Sequence, residues 1–221
     1  GGWNHRGNLS DWVMFKDTHL TGIGIDEAVR RARATWPART IHVECDTVER
    51  AVAAAAALGA RFLTLHASGG APMLERAARR AGDEGLRLLA VTVLTSLDDH
   101  DLAAVGVVRT AGDHALALAR LAHGAGVRGF VCSGAEVGEL RRALPDAFLV
   151  TPGVRPAGPL AAGDDQRRVV SAERAVAAGS DLVVVGRPLR DAADPAAAAR
   201  ALHAEIAAGL ARRGLASSPQ A

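Results

Sequence analysis

Two arginines each follow an apolar run by a few residues, in Thr-Pro-Gly-Val-Arg (151–155) and Val-Val-Val-Gly-Arg-Pro (183–188). The planar guanidinium fork matches the oxygens of a phosphate and can bind two of them at once. Gly186, just before Arg187, lets a backbone approach a ligand closely because it has no side chain. Taken alone, Gly-Arg-Pro fits two readings equally well: a phosphate contact, or an ion pair between Arg187 and Asp191. Other polar residues follow other apolar runs in the same way: Lys16-Asp-Thr-His, Glu44-Cys-Asp, His66-Ala-Ser-Gly-Gly, Thr95-Ser96 and Cys132-Ser133. Each also has a structural reading. Thr95 and Ser96 suit a turn after a strand, and His66 suits a packed, hydrogen-bonded core position.

The elements that must position these residues alternate along the chain. Short apolar runs at Trp12–Lys16, Thr40–Glu44, Arg61–His66, Leu86–Leu94, Gly129–Ser133, Ala147–Thr151 and Asp181–Gly186 predict strands. Most are continuous runs, the pattern of a parallel sheet buried on both faces. Alanine-rich helices are predicted at Ile25–Thr35, Val48–Leu58, Pro72–Ala81, Gly112–Gly124, Ala135–Ala143, Ser171–Ala178 and Pro195–Arg213, with Ser171 as a cap and Pro195 in a first turn. The expected fold is therefore α/β: a TIM-type (β/α) barrel with seven clear strands and eight positions, joined by right-handed crossovers. One domain is expected over 1–213, with a disordered tail over 214–221. The loop Gly153–Arg168 is long enough to suggest a functional role. Ligands of such barrels bind at the C-terminal ends of the strands, and the loops after the last two commonly hold phosphate. Arg155 and Arg187 occupy those two loops.

Composition excludes several partners. The 221 residues carry a formal charge of +2 with both signs interleaved, and aromatics are 3% with no tyrosine. There is neither a basic stripe nor an aromatic platform for nucleic acid. No apolar run reaches the roughly 20 residues of a membrane span. Cys45 and Cys132 have no metal-ligand spacing and read as reduced thiols of a cytoplasmic protein. The N-terminus, Gly-Gly-Trp-Asn-His-Arg, is neither a leader peptide nor an ordinary translation start.

Six segments from Thr47 to Ile206 resemble orotidine 5′-monophosphate decarboxylase of the bacterial type. They are Leu-His-Ala-Ser-Gly-Gly (65–70), Ala-Val-Thr-Val-Leu-Thr-Ser (90–96), Val-Cys-Ser (131–133), Val-Thr-Pro-Gly-Val-Arg-Pro (150–156), Gly-Asp-Asp-Gln-Arg-Arg-Val (163–169) and Val-Val-Gly-Arg-Pro-Leu (184–189). The resemblance implies that Arg155, Arg187 and the Gly186 backbone hold the phosphate of a UMP- or OMP-like nucleotide, with Gln166 reaching it or the base. Thr95, Ser96, Pro152 and His66 would surround the pyrimidine. The resemblance requires no cofactor or metal and implies a homodimer.

The same resemblance fails at the reacting atoms. The family's proton donor is a lysine in an Asp-x-Lys-x-x-Asp pattern at a strand end, an arrangement of positioned acid and fixed charge. Here the region reads Thr-Ile-His-Val-Glu-Cys-Asp-Thr-Val (40–48), and Lys16 is the only lysine in the chain. Arginine, with a pKa above about 12, is no ready replacement. Residues 1–47 resemble instead the barrel domain of quinolinate phosphoribosyltransferase, through Gly-Gly-Trp-Asn-His-Arg (1–6), Phe-Lys-Asp-Thr-His-Leu (15–20), Glu-Ala-Val-Arg-Arg-Ala-Arg (27–33) and His-Val-Glu-Cys-Asp-Thr (42–47). In that family His5, Arg6 and Lys16 would meet anionic substrates and Glu44 the ribose and magnesium. The expected molecule is a chimera of two barrels joined near Asp46-Thr47-Val48. Three functions follow: a decarboxylase-family enzyme, a nucleotide-binding scaffold with little chemistry, or a transferase fragment. Lys16 and Glu44 form a candidate catalytic pair in the first, and a plain ion pair otherwise.

Overall fold

The computed structural model describes residues 12–15, 22–37, 40–155 and 170–214. Seven strands are present among them: β1 (Trp12–Phe15), β2 (Thr40–Val43), β3 (Phe62–His66), β4 (Arg87–Val91), β5 (Gly129–Val131), β6 (Phe148–Thr151) and β7 (Leu182–Val183). The helices are α1 (Ile25–Thr35), α2 (Val48–Ala57), α3 (Ala71–Glu84), α4 (Asp99–Ala104), α5 (Ala111–Gly124), α6 (Val137–Ala143), α7 (Ala172–Ala178), α8 (Arg187–Arg190) and α9 (Pro195–Arg212), with a 3₁₀ turn at Ala67–Gly69.

The strands do not form the single seven-stranded sheet expected. Five of them, in the order β3-β4-β5-β6-β7, make one sheet, and β1 pairs with β2 in another. Exposure along β3 shows why the run of continuous burial stops there. Phe62, Thr64 and His66 are exposed while Leu63 and Leu65 are half-buried, a period of two that marks a strand with one covered face. Only the middle strands carry the two-sided burial of a covered parallel sheet: Leu88, Leu89 and Ala90, then Phe130, then Leu149 and Val150.

The chain divides into two compact units, 1–63 with 72–88 and 64–71 with 89–221, and the division passes through β3 and β4. In the first unit β1 and β2 run parallel, with Trp12 opposite Thr40 and Phe15 opposite Val43. The α1 residues Ala28, Val29 and Ala32 are buried, one face of a helix turned inward. The Thr47 side chain caps α2 by accepting from the Arg50 N–H at 3.3 Å. The Arg76 fork binds both Glu49 oxygens, at 2.5 and 3.1 Å, and this bond holds the Glu49 carboxyl below its ordinary pKa.

In the second unit β5, β6 and β7 are in parallel register: Val131 opposite Val150, Val150 opposite Leu182, Thr151 opposite Val183. Two strands fall four residues short of expectation. At the end of β4 the Thr92 N–H makes the last ladder bond, to the Val131 carbonyl at 3.1 Å, and the Thr92 hydroxyl donates to the same oxygen at 3.0 Å. β7 ends at Val183 because Gly153, the next residue after Thr151 to face it, takes a φ of 72° and leaves the extended conformation. Ser171 caps α7 as expected, accepting from the Arg174 N–H at 3.3 Å. Pro195 opens α9 behind the Asp194 cap. Helices α4 and α8 were not expected.

At the N-terminal end of β6 and β7, Arg141 of α6 gathers the chain. Its guanidinium donates to the carbonyls of Gly179, Pro145 and Ala147 at 2.8, 2.9 and 2.7 Å, and to the Asp181 carboxylate at 2.5 Å. Asp181 accepts in turn from the Leu149 N–H at 2.9 Å. One cation thus ties the end of α7, the α6–β6 turn and the start of β7 together.

Candidate functional site

The C-terminal edge of the five-stranded sheet collects most of the polar residues singled out above. Register fixes their relation. Thr151 and Val183 are paired, and the Val184 N–H donates to the Thr151 carbonyl at 2.9 Å. Arg155 and Arg187 each lie four residues beyond that pair, Arg155 in the loop after β6 and Arg187 at the start of the helix after β7. Both are half-buried. The route from Thr151 to Arg155 is held at its far end. Gly153 takes a positive φ of 72°, which residues with a Cβ rarely adopt. The chain then returns so that fully buried Val154 bridges Val170, and the Arg155 N–H donates to the Val170 carbonyl at 3.0 Å.

Arg187 opens α8, with Gly186 as its cap residue. No described heavy atom lies within 4 Å of the place a Cβ on Gly186 would take. The glycine therefore contributes open space in front of the backbone. Asp191, the alternative partner of Arg187, is held by Arg190 through bonds of 2.6 and 2.9 Å. That bond lowers the Asp191 carboxyl below its ordinary pKa, with the charge of Arg187 a smaller cause. Of the two readings of Gly-Arg-Pro, the ion-pair one therefore has to share Asp191 with Arg190, the adjacent side chain at the end of a short helix.

Thr95 is buried and Ser96 half-buried, four and five residues past the end of β4, in a turn closed by the Leu97 N–H on the Leu94 carbonyl at 3.0 Å. Pro152 is half-buried directly after β6. His66 ends β3 and is exposed. The packed core histidine weighed for it is therefore corrected: the period-two exposure of β3 turns position 66 outward. These residues all belong to the second unit. Glu44 belongs to the first, exposed after β2, its N–H donating to the Phe15 carbonyl at 2.8 Å. Lys16, Gln166, His5 and Arg6 lie outside the described residues, as does most of the loop Gly153–Arg168 and the tail from 215.

Ser133 and Thr151, which stand at strand ends in the sequence, are buried, and sequence reasoning passed over two further buried polar residues, Glu136 and Ser180. Glu136 is the one acidic side chain buried among the described residues. The Thr151 hydroxyl donates to Ser180 Oγ at 2.8 Å, and Ser180 donates to the Leu182 carbonyl at 3.0 Å. The signal for them was position, since each sits within a few residues of an apolar run. Cys45 is half-buried, and burial raises its thiol pKa, so it stays protonated at neutral pH.

One group of described side chains has metal-ligand chemistry: Asp98, His100 and Asp101, with ligand atoms within 4.8 Å of one another. Asp98 accepts from the Asp101 N–H at 3.0 Å and Asp101 from the Asp98 N–H at 3.2 Å, a reciprocal cap on α4. This is the D-x-x-D signal for the helix that sequence reasoning missed. Asp98→Ala is expected to lower unfolding stability by about 1 kcal/mol in urea denaturation. Stabilisation of the parent by millimolar divalent cation, lost in this variant, would instead assign the group to a metal.

Fold and strand ends together define a parallel α/β protein that assembles polar and cationic side chains on the C-terminal edge of its sheet. The model of the "Orotidine 5'-phosphate decarboxylase / HUMPS family" matches residues 45–202. The chain belongs to that family. It is 54% identical over 184 residues to the orotidine 5′-phosphate decarboxylase of Anaeromyxobacter sp. (strain K), covering 83% of this chain and 78% of the relative. It is 50% identical over 188 residues to that of Thermobifida fusca (strain YX), covering 84% and 79%. Both alignments are longer than the stretch 47–206 that carries the resemblance in the sequence. The crystal structure of the Lactobacillus acidophilus orotidine 5′-phosphate decarboxylase superposes with a TM-score of 0.60 at 31% identity, covering 88% of this chain and 86% of that one. Among the described residues no helix is long and apolar enough to cross a membrane.

Proposed function

We propose that this chain binds a pyrimidine nucleoside monophosphate, UMP- or OMP-like, as a barrel of the decarboxylase family of pyrimidine biosynthesis, without turning it over at the family's rate. Arg155 and Arg187 take the phosphate with the Gly186 backbone and Gln166. Thr95, Ser96, Pro152 and His66 surround the ring. The observation that carries the reading is the register: two arginines at the same offset past a paired Thr151 and Val183, on neighbouring strands. Two forks carried by the segments that follow adjacent strands suit one tetrahedral dianion.

The limit on turnover rests on the residues. No lysine stands in the 40–48 segment, and the only one is Lys16. Without a positioned ammonium the carbon that loses carbon dioxide has no proton donor from that strand end. A second reading, full decarboxylase activity, is favoured by 54% identity over 184 residues to a named decarboxylase, and would enlist Lys16 and Glu44. The composite origin of residues 1–47 is part of the same proposal and rests on the phosphoribosyltransferase-like segments alone, as the homodimer rests on the decarboxylase resemblance. Calorimetric titration is expected to show UMP binding, while the absorbance of orotidine monophosphate stays constant over hours with the protein present. Loss of that absorbance, abolished by Lys16→Ala, would establish the second reading. Absence of UMP binding would overturn the first.

A further inference from the structure

We infer that Gly134 is a positioning residue for Arg155, acting through Val170. Gly134 follows β5 in a turn pinned on both sides: the Ala135 N–H donates to Ser133 Oγ at 3.1 Å and the Glu136 N–H to the Ser133 carbonyl at 3.1 Å. The fully buried Ser133 leaves that turn little room to shift. A Cβ at position 134 would stand 2.8 Å from Val170 Cγ1, 3.0 Å from Val170 Cβ, and closer still to Cγ2. Both methyls and the branch carbon are struck at once. Rotation about χ1 cannot clear them, because a β-branched side chain keeps atoms on two sides of its Cβ. Val170 must therefore move its backbone.

That backbone is what seats Arg155. The Val170 carbonyl accepts the Arg155 N–H at 3.0 Å, and Val170 bridges Val154, which is fully buried and cannot follow. Any side chain at 134 thus separates Val170 from Val154–Arg155 and unseats one of the two guanidinium groups. Gly134 touches no ligand; its contribution is the absence of a Cβ. The functional part of this inference rests on the proposed role of Arg155, whereas the seating itself is independent of any ligand.

The experiment has two readouts. Amide hydrogen exchange at Arg155 in Gly134→Ala is expected to speed up while the amides of Phe130 and Leu149 keep their protection; unchanged exchange at Arg155 would overturn the inference whatever the ligand does. Titration of uridine monophosphate is expected to show about tenfold weaker binding in Gly134→Ala, restored in Gly134→Ala/Val170→Gly, and no further loss when Gly134→Ala is added to Arg155→Ala. If Arg155→Ala alone leaves binding intact, the phosphate reading falls while the exchange result still judges Gly134. Additive losses in the double variant with Arg155→Ala would overturn the inference. Should Gly134→Ala not fold, Gly134→Ala/Val170→Gly is expected to fold, and its failure would mean that Val170 is not what excludes the side chain.

Discussion

Replacing Arg187 by alanine is expected to weaken uridine monophosphate binding about 100-fold, read by calorimetry, with the thermal midpoint nearly unchanged. The size follows from a charge-assisted, bidentate bond that the variant cannot remake. The unchanged fold follows from the surroundings. α8 is built from backbone bonds, including the Asp191 N–H on the Arg187 carbonyl at 2.9 Å, and its side-chain pair is Arg190 with Asp191. Alanine keeps the former and leaves the latter alone. Arg187→Lys should fall between the two, retaining charge without the fork. Equal binding by parent and Arg187→Ala would remove this residue from the site.

Arg141→Ala is expected to lower unfolding stability by about 3 kcal/mol, measured in urea, with UMP affinity of the folded fraction unaltered. The variant deletes five bonds, to three backbone carbonyls and one carboxylate, in one step. It leaves Asp181, among the described residues, with Arg213 at 3.4 Å as a cation and the Leu149 N–H as a donor. That residual support keeps the cost below the upper end for a broken buried pair. A loss under about 1 kcal/mol would mean that water replaces the guanidinium at little cost.

These two arginines show what could be read in the sequence. Arg187 was legible because a glycine, an arginine and a proline directly after a β-branched run can be placed at a strand end without knowing the rest of the fold. Arg141 was not. Its position inside a helix says nothing of the carbonyls of Gly179, Pro145 and Ala147, which come from other elements. The positions of most strands and helices were legible from apolar runs and caps such as Ser171. Their ends were not, since β7 stops where a neighbouring glycine, Gly153, turns out of the extended conformation. Nor was the separation of β1 and β2 from the other five strands, which depends on pairing and not on local pattern. Gly134 was invisible for a related reason: a glycine needed because Val170, 36 positions later, stands over it is identical in sequence to a glycine needed for nothing.

The equal offset of Arg155 and Arg187 past the Thr151–Val183 pair bears on how this chain can change over generations. Residues 152–154 and 184–186 are spacers of the same length after the paired Thr151 and Val183. Exchanging one side chain there alters packing. Inserting or deleting one residue in a single spacer breaks the equal offset of the two arginines. Drift in identity is thus tolerable in these spacers where drift in length is not, and indels that survive selection should come as matched pairs.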